Sequence, residues 1–165
     1  MEGTTPGQRA RLVLITGIPG SGKTTLATAL AQSMPAARMC PDEWMIASGI
    51  DLWDGESRAE IERCQLGLAL DLLRRGRHVI IEWGTWMRFE RDAVRDAARS
   101  VGAEVELRCL SVDTDELWRR ISERDAEGRF GTRSIQRHEL GAWVATYQAP
   151  TPDELATYDG GSLDG

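Results

Sequence analysis

Three segments of the chain read as strands, and each is followed by a stretch with helical spacing of its apolar residues. Residues 12–15 and 79–81 are continuous apolar runs, and residues 105–112 mix apolar with polar positions. Short apolar runs predict buried strands, whereas apolar residues that recur every three or four positions predict helices. Strands that alternate with helices pair in parallel, and the helices pack on both faces of the sheet. The pattern therefore predicts an α/β protein whose ligands bind beyond the carboxyl ends of the strands.

Capping and helix-breaking residues indicate where the other elements begin and end. The first helix is expected to end at Ser33, a second strand to cover residues 36–40, and a brief helix to open at Pro41. Ser57 and Glu60 have capping-box spacing, which predicts that they begin a long helix ending at Gly76. The residues of that helix expected to face the core are Ile61, Cys64, Leu68 and Leu72. Later helices are expected over residues 88–100, after residue 113 and around residues 140–147.

A glycine-rich loop lies between the first predicted strand and the first predicted helix. Residues 17–24 read GIPGSGKT and match the pattern G-x-x-x-x-G-K-[ST]. Glycines let main-chain N–H groups point at phosphate oxygens, and the new helix adds unpaired N–H groups. Lys23 is expected to reach the β- and γ-phosphates of a nucleotide, and Thr24 to hold Mg²⁺. The expected nucleotide-binding residues are Gly17, Gly20, Ser21, Gly22, Lys23, Thr24 and Thr25.

Length, charge and cysteine content restrict the classes of function. The 165 residues suit a single domain, with a core over residues 11–155 and frayed ends at residues 1–9 and 157–165. The net charge of −6 disfavours a broad surface for nucleic acid or membrane. The three cysteines have neither metal-site nor disulfide spacing, which favours reduced thiols in the cytoplasm. No apolar run approaches the roughly 20 residues of a membrane span.

Two carboxylates follow predicted strands at the ligand-binding edge of the sheet. Glu82 ends the run at residues 79–81, where a carboxylate can bind the Mg²⁺ shell; a solvated acid at a strand end is the alternative. Asp42 follows the second predicted strand and is a candidate to accept the proton of an acceptor hydroxyl. For Asp42 the alternative is a helix-capping acid, and Glu43 is a rival for the same role.

Residues 119–140 contain several arginines around a glycine-containing segment, and they predict a helical arginine lid. Arg124, Arg129 and Arg133 are the candidates to close over a nucleotide and neutralise charge on a transferred phosphoryl group. The alternative is a pair of exposed helices with intrahelical ion pairs, to which Arg119, Arg120 and Arg137 are assigned.

Four tryptophans follow predicted strand ends on the acceptor side, at positions 44, 53, 83 and 86. Trp44, Trp53, Trp83 and Trp86 are expected to wall a pocket for a flat or apolar substrate, with a purely structural role for at least two of them as the alternative. Arg88 and Arg91 lie just beyond them. These two arginines are expected to bind the substrate or to be solvated on a helix.

Together these motifs resemble the P-loop kinase group that contains polynucleotide 5′-kinases, chloramphenicol phosphotransferase and zeta-toxin-like kinases. The resemblance covers residues 12–154 and is carried by GIPGSGKTT, PDEW at 41–44, Glu82 with Arg91, LWRRI at 117–121 and the tail at 147–154. It implies a P-loop NTPase fold, a three-layer α/β/α sandwich with a parallel sheet of strand order 2-3-1-4. Whether a fifth strand forms stays open, because the segment at residues 155–165 is short and polar. The resemblance also implies that Asp42 acts on the acceptor hydroxyl and that Arg124, Arg129 and Arg133 bind donor phosphates.

The chain departs from that group at residues 82–86, which read EWGTW where the group usually has an aspartate followed by alanine or threonine. The departure rebuilds the acceptor pocket with aromatic side chains. The leading hypothesis is a kinase that uses ATP and Mg²⁺ to phosphorylate a hydroxyl of a small molecule, such as an antibiotic or a nucleoside-like metabolite. The alternatives are a polynucleotide 5′-hydroxyl kinase and a nucleotide-binding switch without a phosphoryl acceptor.

Overall fold

A computed structural model describes residues 9–129 and 133–164 of the chain. Their strands form one parallel sheet of five strands, in the order β2-β3-β1-β4-β5. The strands are β1 (Arg11–Thr16), β2 (Ala36–Met39), β3 (His78–Ile81), β4 (Glu104–Leu110) and β5 (Gly160–Asp164). The predicted α/β fold and the order 2-3-1-4 are confirmed. The N-terminal residues 1–8, the centre of the predicted lid at 130–132, and Gly165 lie outside the described residues.

The fifth strand corrects the expectation that residues 157–165 are frayed. Before the strand, the Asp159 N–H donates to the Val105 carbonyl, and the Asp159 carboxylate accepts from the Val105 N–H, both at 2.8 Å. Within the strand, a Cβ on Gly161 would lie only 2.8 Å from the Leu107 carbonyl oxygen. Glycine therefore permits the close pairing of β5 with β4. The polar composition of residues 157–165 gave no sign of this strand, because an edge strand needs no apolar run.

Helices cover both faces of the sheet. They are α1 (Lys23–Ser33), α2 (Pro41–Ala47), α3 (Gly55–Arg74), α4 (Arg88–Ser100), α5 (Thr114–Ala126), α6 (Arg137–Thr146) and α7 (Pro152–Leu155). On one face Val13 and Ile15 of β1 pack against α1, and on the other Leu12 and Leu14 pack against α3 and α4. Neighbouring residues of β1 thus belong to two cores, which explains its unbroken apolar run. Within the described part of the chain, no helix is both long enough and apolar enough to cross a membrane.

Helix α3 differs from the prediction in its start and in its buried face. Asp54 is the N-cap and accepts from the Ser57 N–H at 3.0 Å, so the helix begins at Gly55 and not at Ser57. The buried residues are Gln65, Ala69 and Leu73, whereas Cys64 and Leu68, both expected in the core, are exposed. The buried face is therefore shifted by one residue. Gln65 can occupy a core position because its side-chain carbonyl accepts from Trp83 Nε1 at 2.9 Å.

Candidate active site

The glycine-rich loop at residues 17–22 lies between β1 and α1, at the carboxyl edge of the sheet. Gly20 and Gly22 have φ angles of 85° and 100°, which are in the left-handed region that side chains disfavour. Helix α1 begins at Lys23, so its first N–H groups have no partner within the helix. Ser21 is buried next to this turn, whereas Thr25 is exposed in the first turn of α1. This backbone is well suited to bind an anion.

The Lys23 ammonium is held by the loop itself and is surrounded by charged side chains. Its Nζ donates to the carbonyls of Gly17 and Ile18, at 2.9 and 3.1 Å. Desolvation lowers the pKa of Lys23 to about 8, against the effect of Asp42 and Glu82, and Arg124 lowers it further. Asp42, Glu82 and Arg124 all act on the Lys23 ammonium. The structure therefore brings together charged residues that lie as far apart in the sequence as positions 23 and 124.

Thr24 and Glu82 bring two side chains with oxygen atoms together beside the loop. The Thr24 hydroxyl donates to Glu82 Oε1 at 2.8 Å, and Arg38 Nε donates to Glu82 Oε2 at 3.0 Å. Glu82 is only 5 % exposed, so it is not the solvated strand-end acid of the alternative. A hydroxyl and one carboxylate, completed by phosphate oxygens and water, are a donor set that suits Mg²⁺. The residues present therefore fit the metal that the fold family implies.

A cleft of about 860 Å³ extends from the glycine-rich loop, between α2, α3 and the loop after β3. This volume lies in the usual range of about 300–1,000 Å³ for small-ligand sites. We call the part lined by Gly20, Gly22, Lys23, Thr24 and Arg124 the loop end. We call the part lined by Trp53, Trp83, Trp86, Phe89 and Trp143 the aromatic end.

Asp42 lines the cleft and Glu43 does not. The Asp42 carboxylate, on the first turn of α2, accepts from Arg58 Nη2 of α3 at 2.5 Å. Glu43 instead pairs with Arg38 at 2.9 Å. Of the two candidate acids, Asp42 is therefore the one whose side chain lies where it can contact a molecule in the cleft.

The tryptophans divide into two groups. Trp53, Trp83, Trp86 and Trp143 line the cleft, and the ring centroids of Trp86 and Trp143 are 6.1 Å apart. Trp44, an expected pocket residue, lies outside the lining and is exposed. The helical spacing of Trp143 in the sequence indicates a simple core position. Helix α6 instead places it at the aromatic end of the cleft.

The lid arginines also lie in different places. Arg124 lines the cleft and is close enough to Lys23 to lower the pKa of that ammonium. Arg129 is exposed and pairs with Glu127 at 2.7 Å. Arg133 pairs with Glu139, also at 2.7 Å, and its guanidinium lies 3.7 Å from the centre of the Trp53 ring. In this structure only Arg124 is at the loop end of the cleft.

Arg88 and Arg91 correct the expectation of substrate binding, because neither lines the cleft. Arg88 pairs with Asp92 of its own helix at 3.6 Å. The Arg91 side chain is 0 % exposed and binds both carboxylate oxygens of Glu154, at 2.6 and 2.9 Å. A fully enclosed guanidinium has no donor left for a substrate, so Arg91 is a structural residue.

Three charged residues of the cleft, Arg58, Glu62 and Glu90, were missed by sequence reasoning. Arg58 and Glu62 belong to α3 and are one helical turn apart, which is the spacing of residues on one helix face. Their spacing was visible in the sequence. Nothing in the sequence showed that this face of α3 points at Asp42.

Comparison with known proteins agrees with the fold. A family model described as an AAA domain matches residues 12–150. A candidate kinase from Chloroflexus aurantiacus has a TM-score of 0.74 at 20 % identity, covering 95 % of this chain and 88 % of its own. Chaetomium thermophilum Kti12, solved with ADP-AlF3, has a TM-score of 0.70 at 18 % identity, with coverage of 93 % and 88 %.

The Mycobacterium tuberculosis APS kinase CysC is a third similar structure. It was solved with AMPPNP and APS and has a TM-score of 0.64 at 20 % identity, covering 94 % of this chain and 88 % of its own. No protein of curated function matches the chain significantly by sequence. The likenesses at these identities establish the fold, and the chemistry has to be argued from the cleft.

Proposed function

We propose, given that the chain belongs to the AAA domain family through residues 12–150, that it is a kinase that transfers the γ-phosphoryl group of ATP to a hydroxyl of a small molecule. The observation that carries the proposal is the convergence of Lys23, Asp42 and Arg124 on one cleft. Phosphoryl transfer depends mainly on positioning and on stabilising charge, and these residues supply both.

The loop end of the cleft would bind the nucleotide. Main-chain N–H groups of the glycine-rich loop and of the first turn of α1 would donate to the phosphate oxygens. Lys23 and Arg124 are the two cations that line this end. They would neutralise charge that accumulates on the transferred group, where a buried cation has its largest effect.

Thr24 and Glu82 would hold the magnesium ion. Mg²⁺ neutralises charge on the β- and γ-phosphate oxygens when it is bound. Arg38 contacts one oxygen of Glu82 and Thr24 the other, so the carboxylate is held in one orientation towards the loop end.

Asp42 would act on the acceptor. The hydroxyl oxygen attacks the γ-phosphorus, the bond from phosphorus to the bridging oxygen breaks, and that oxygen leaves as part of ADP. Asp42 accepts the hydroxyl proton. Arg58 holds the Asp42 carboxylate by a hydrogen bond of 2.5 Å, which keeps its second oxygen available to the acceptor.

The charge of the aromatic end supports a small molecule over a polynucleotide. Grooves for single strands combine a basic track with stacking aromatic residues. Among the described residues, Arg58 and Arg133 are the basic residues beside the aromatic side chains, and each is already paired, with Asp42 and with Glu139. Glu62 and Glu90 also line the cleft. Two additional carboxylates would repel a phosphate backbone.

The test is transfer of labelled phosphate from ATP to panels of nucleosides, antibiotics and oligonucleotides. Asp42→Asn should abolish transfer while the affinity for ATP is unchanged, because the variant removes a base and leaves the loop intact. Glu43→Gln is the matched control and should retain transfer, since its side chain lies outside the cleft. Equal activity of Asp42→Asn and the wild type would refute the assignment of the base. ATP binding without transfer to any panel would indicate a nucleotide-dependent switch, and transfer to oligonucleotides alone would indicate the polynucleotide kinase.

A further inference from the structure

The aromatic end of the cleft combines a tryptophan wall with carboxylates that the proposed transfer does not use. Trp143 is the middle of the wall, with its ring centroid 6.4 Å from that of Trp53 and 6.1 Å from that of Trp86. Glu62 and Glu90 line the same cleft from α3 and α4. Aromatic faces and carboxylates attract the same kind of ligand, an organic cation.

The wall already holds a cation of the chain itself. The guanidinium of Arg133 lies 3.7 Å from the centre of the Trp53 ring, which is well within the roughly 6 Å limit of a cation–π contact. Trp53 also lines the cleft. The face of Trp53 thus already makes, with Arg133, the cation–π contact that a bound ammonium group would make.

Glu62 lines the cleft without an ion pair to any residue that the structure describes. Within residues 9–129 and 133–164, Arg58 is near Glu62 but forms its ion pair with Asp42, and no ion pair to Glu62 is present. Burial raises the pKa of Glu62, the nearby charges of Glu90 and Asp42 raise it further, and Arg58 opposes them. A half-buried carboxylate in this position is stabilised by any cation that enters the cleft.

We propose that the acceptor of the phosphoryl group is an amino alcohol with a flat, apolar body, bound as the cation. Its ammonium group lies at Glu62, and its body packs against Trp53, Trp86 and Trp143. The inference rests on the proposed function, which places the acceptor hydroxyl at Asp42. It adds the charge of the substrate and the residue that selects it. Neutral and anionic alcohols of the same shape are discriminated against, because they leave Glu62 without a counter-charge.

The experiment measures binding of three probes that share a 1-naphthyl carbinol and carry groups of different charge beside it. Binding is followed by quenching of tryptophan fluorescence in the presence of ADP and Mg²⁺. The cation is 2-amino-1-(1-naphthyl)ethanol, the neutral probe is its N-acetyl derivative, and the anion is 2-hydroxy-2-(1-naphthyl)acetate. The cation is expected to bind about tenfold more tightly than either of the others, as a charge-assisted contact provides. Glu62→Gln should remove this preference, and Glu60→Gln, an exposed position of the same helix paired with Arg63, should retain it.

Binding of the three probes with equal affinity, tightest binding of the anion, or no binding of any probe would overturn the inference. A preference for the cation that survives Glu62→Gln would also overturn it. Phosphoryl transfer is measured separately on the same samples. A protein that transfers phosphate to a neutral or anionic alcohol would refute the inference about charge and leave the proposed kinase activity standing.

Discussion

Replacing Arg91 by methionine is expected to lower the free energy of unfolding by about 4 kcal/mol, because it leaves a buried carboxylate without its partner. The carboxylate is that of Glu154, whose side chain is 2 % exposed and is bound through both oxygens by Arg91. Removing one partner of a buried ion pair costs about 3–5 kcal/mol. Methionine replaces the apolar stem of Arg91 and lacks the guanidinium group.

The other hydrogen bonds of Arg91 contribute less. Its Nη1 donates to the Thr85 and Trp86 carbonyls, but Thr85 keeps a donor in the Thr16 hydroxyl, and Trp86 keeps one in the Gln148 N–H. The Gln148 carbonyl accepts from Nη2 at 2.8 Å and loses that donor. One lost hydrogen bond adds about 1 kcal/mol, so the stranded charge dominates the total.

The assay is urea unfolding followed by tryptophan fluorescence and circular dichroism. Arg88→Met is the matched control on the same helix and should change the stability by less than about 0.5 kcal/mol, since Arg88 is exposed and its ion pair is of the surface type. The double variant Arg91→Met/Glu154→Leu should be more stable than either single variant, because no buried charge remains. The reasoning would be refuted if the free energy of unfolding of Arg91→Met fell by less than about 1 kcal/mol. It would also be refuted if the loss in the double variant equalled the sum of the losses in the two single variants.

Two further predictions concern the loop end of the cleft. The pKa of Lys23 is about 8, so kcat/KM for ATP should fall as the pH rises above about 8, when the ammonium loses its proton. The profile of kcat should bend at a higher pH, because bound phosphates favour the charged form of Lys23. A kcat/KM that stays flat between about pH 7 and 9.5 would contradict the expected fall. Glu82→Gln should raise the Mg²⁺ concentration needed for half-maximal transfer by about tenfold or more, as weakened ligands do. An unchanged Mg²⁺ requirement in Glu82→Gln would remove Glu82 from the proposed metal site.

Local features of this protein were readable from its sequence. The glycine-rich loop and α1 were predicted correctly because their information is contained in consecutive residues: glycines that permit positive φ, and an apolar strand before them. The position of Asp42 and Glu82 at one edge of the sheet was readable because each follows a strand, and both line the cleft. The strand order followed from the resemblance to P-loop kinases and is confirmed.

Features that depend on partners distant in the sequence were not readable. The buried face of α3 is shifted by one residue because Gln65 meets Trp83, a contact that periodicity does not contain. Residues 157–165 look like a polar tail, and the close approach of Gly161 to β4 turns part of them into a strand.

The arginines show most clearly where the sequence stops being sufficient. Long cationic side chains look alike in a sequence, and each of them binds whichever carboxylate, carbonyl or ring the fold brings within reach. Arg124 reaches the cleft, Arg91 is enclosed with Glu154, and Arg133 lies over Trp53. The sequence by itself determined the glycine-rich turn and the alternation of strands with helices, because both are contained in neighbouring residues. Only the tertiary structure decided which charges face the cleft, because that depends on how the helices pack.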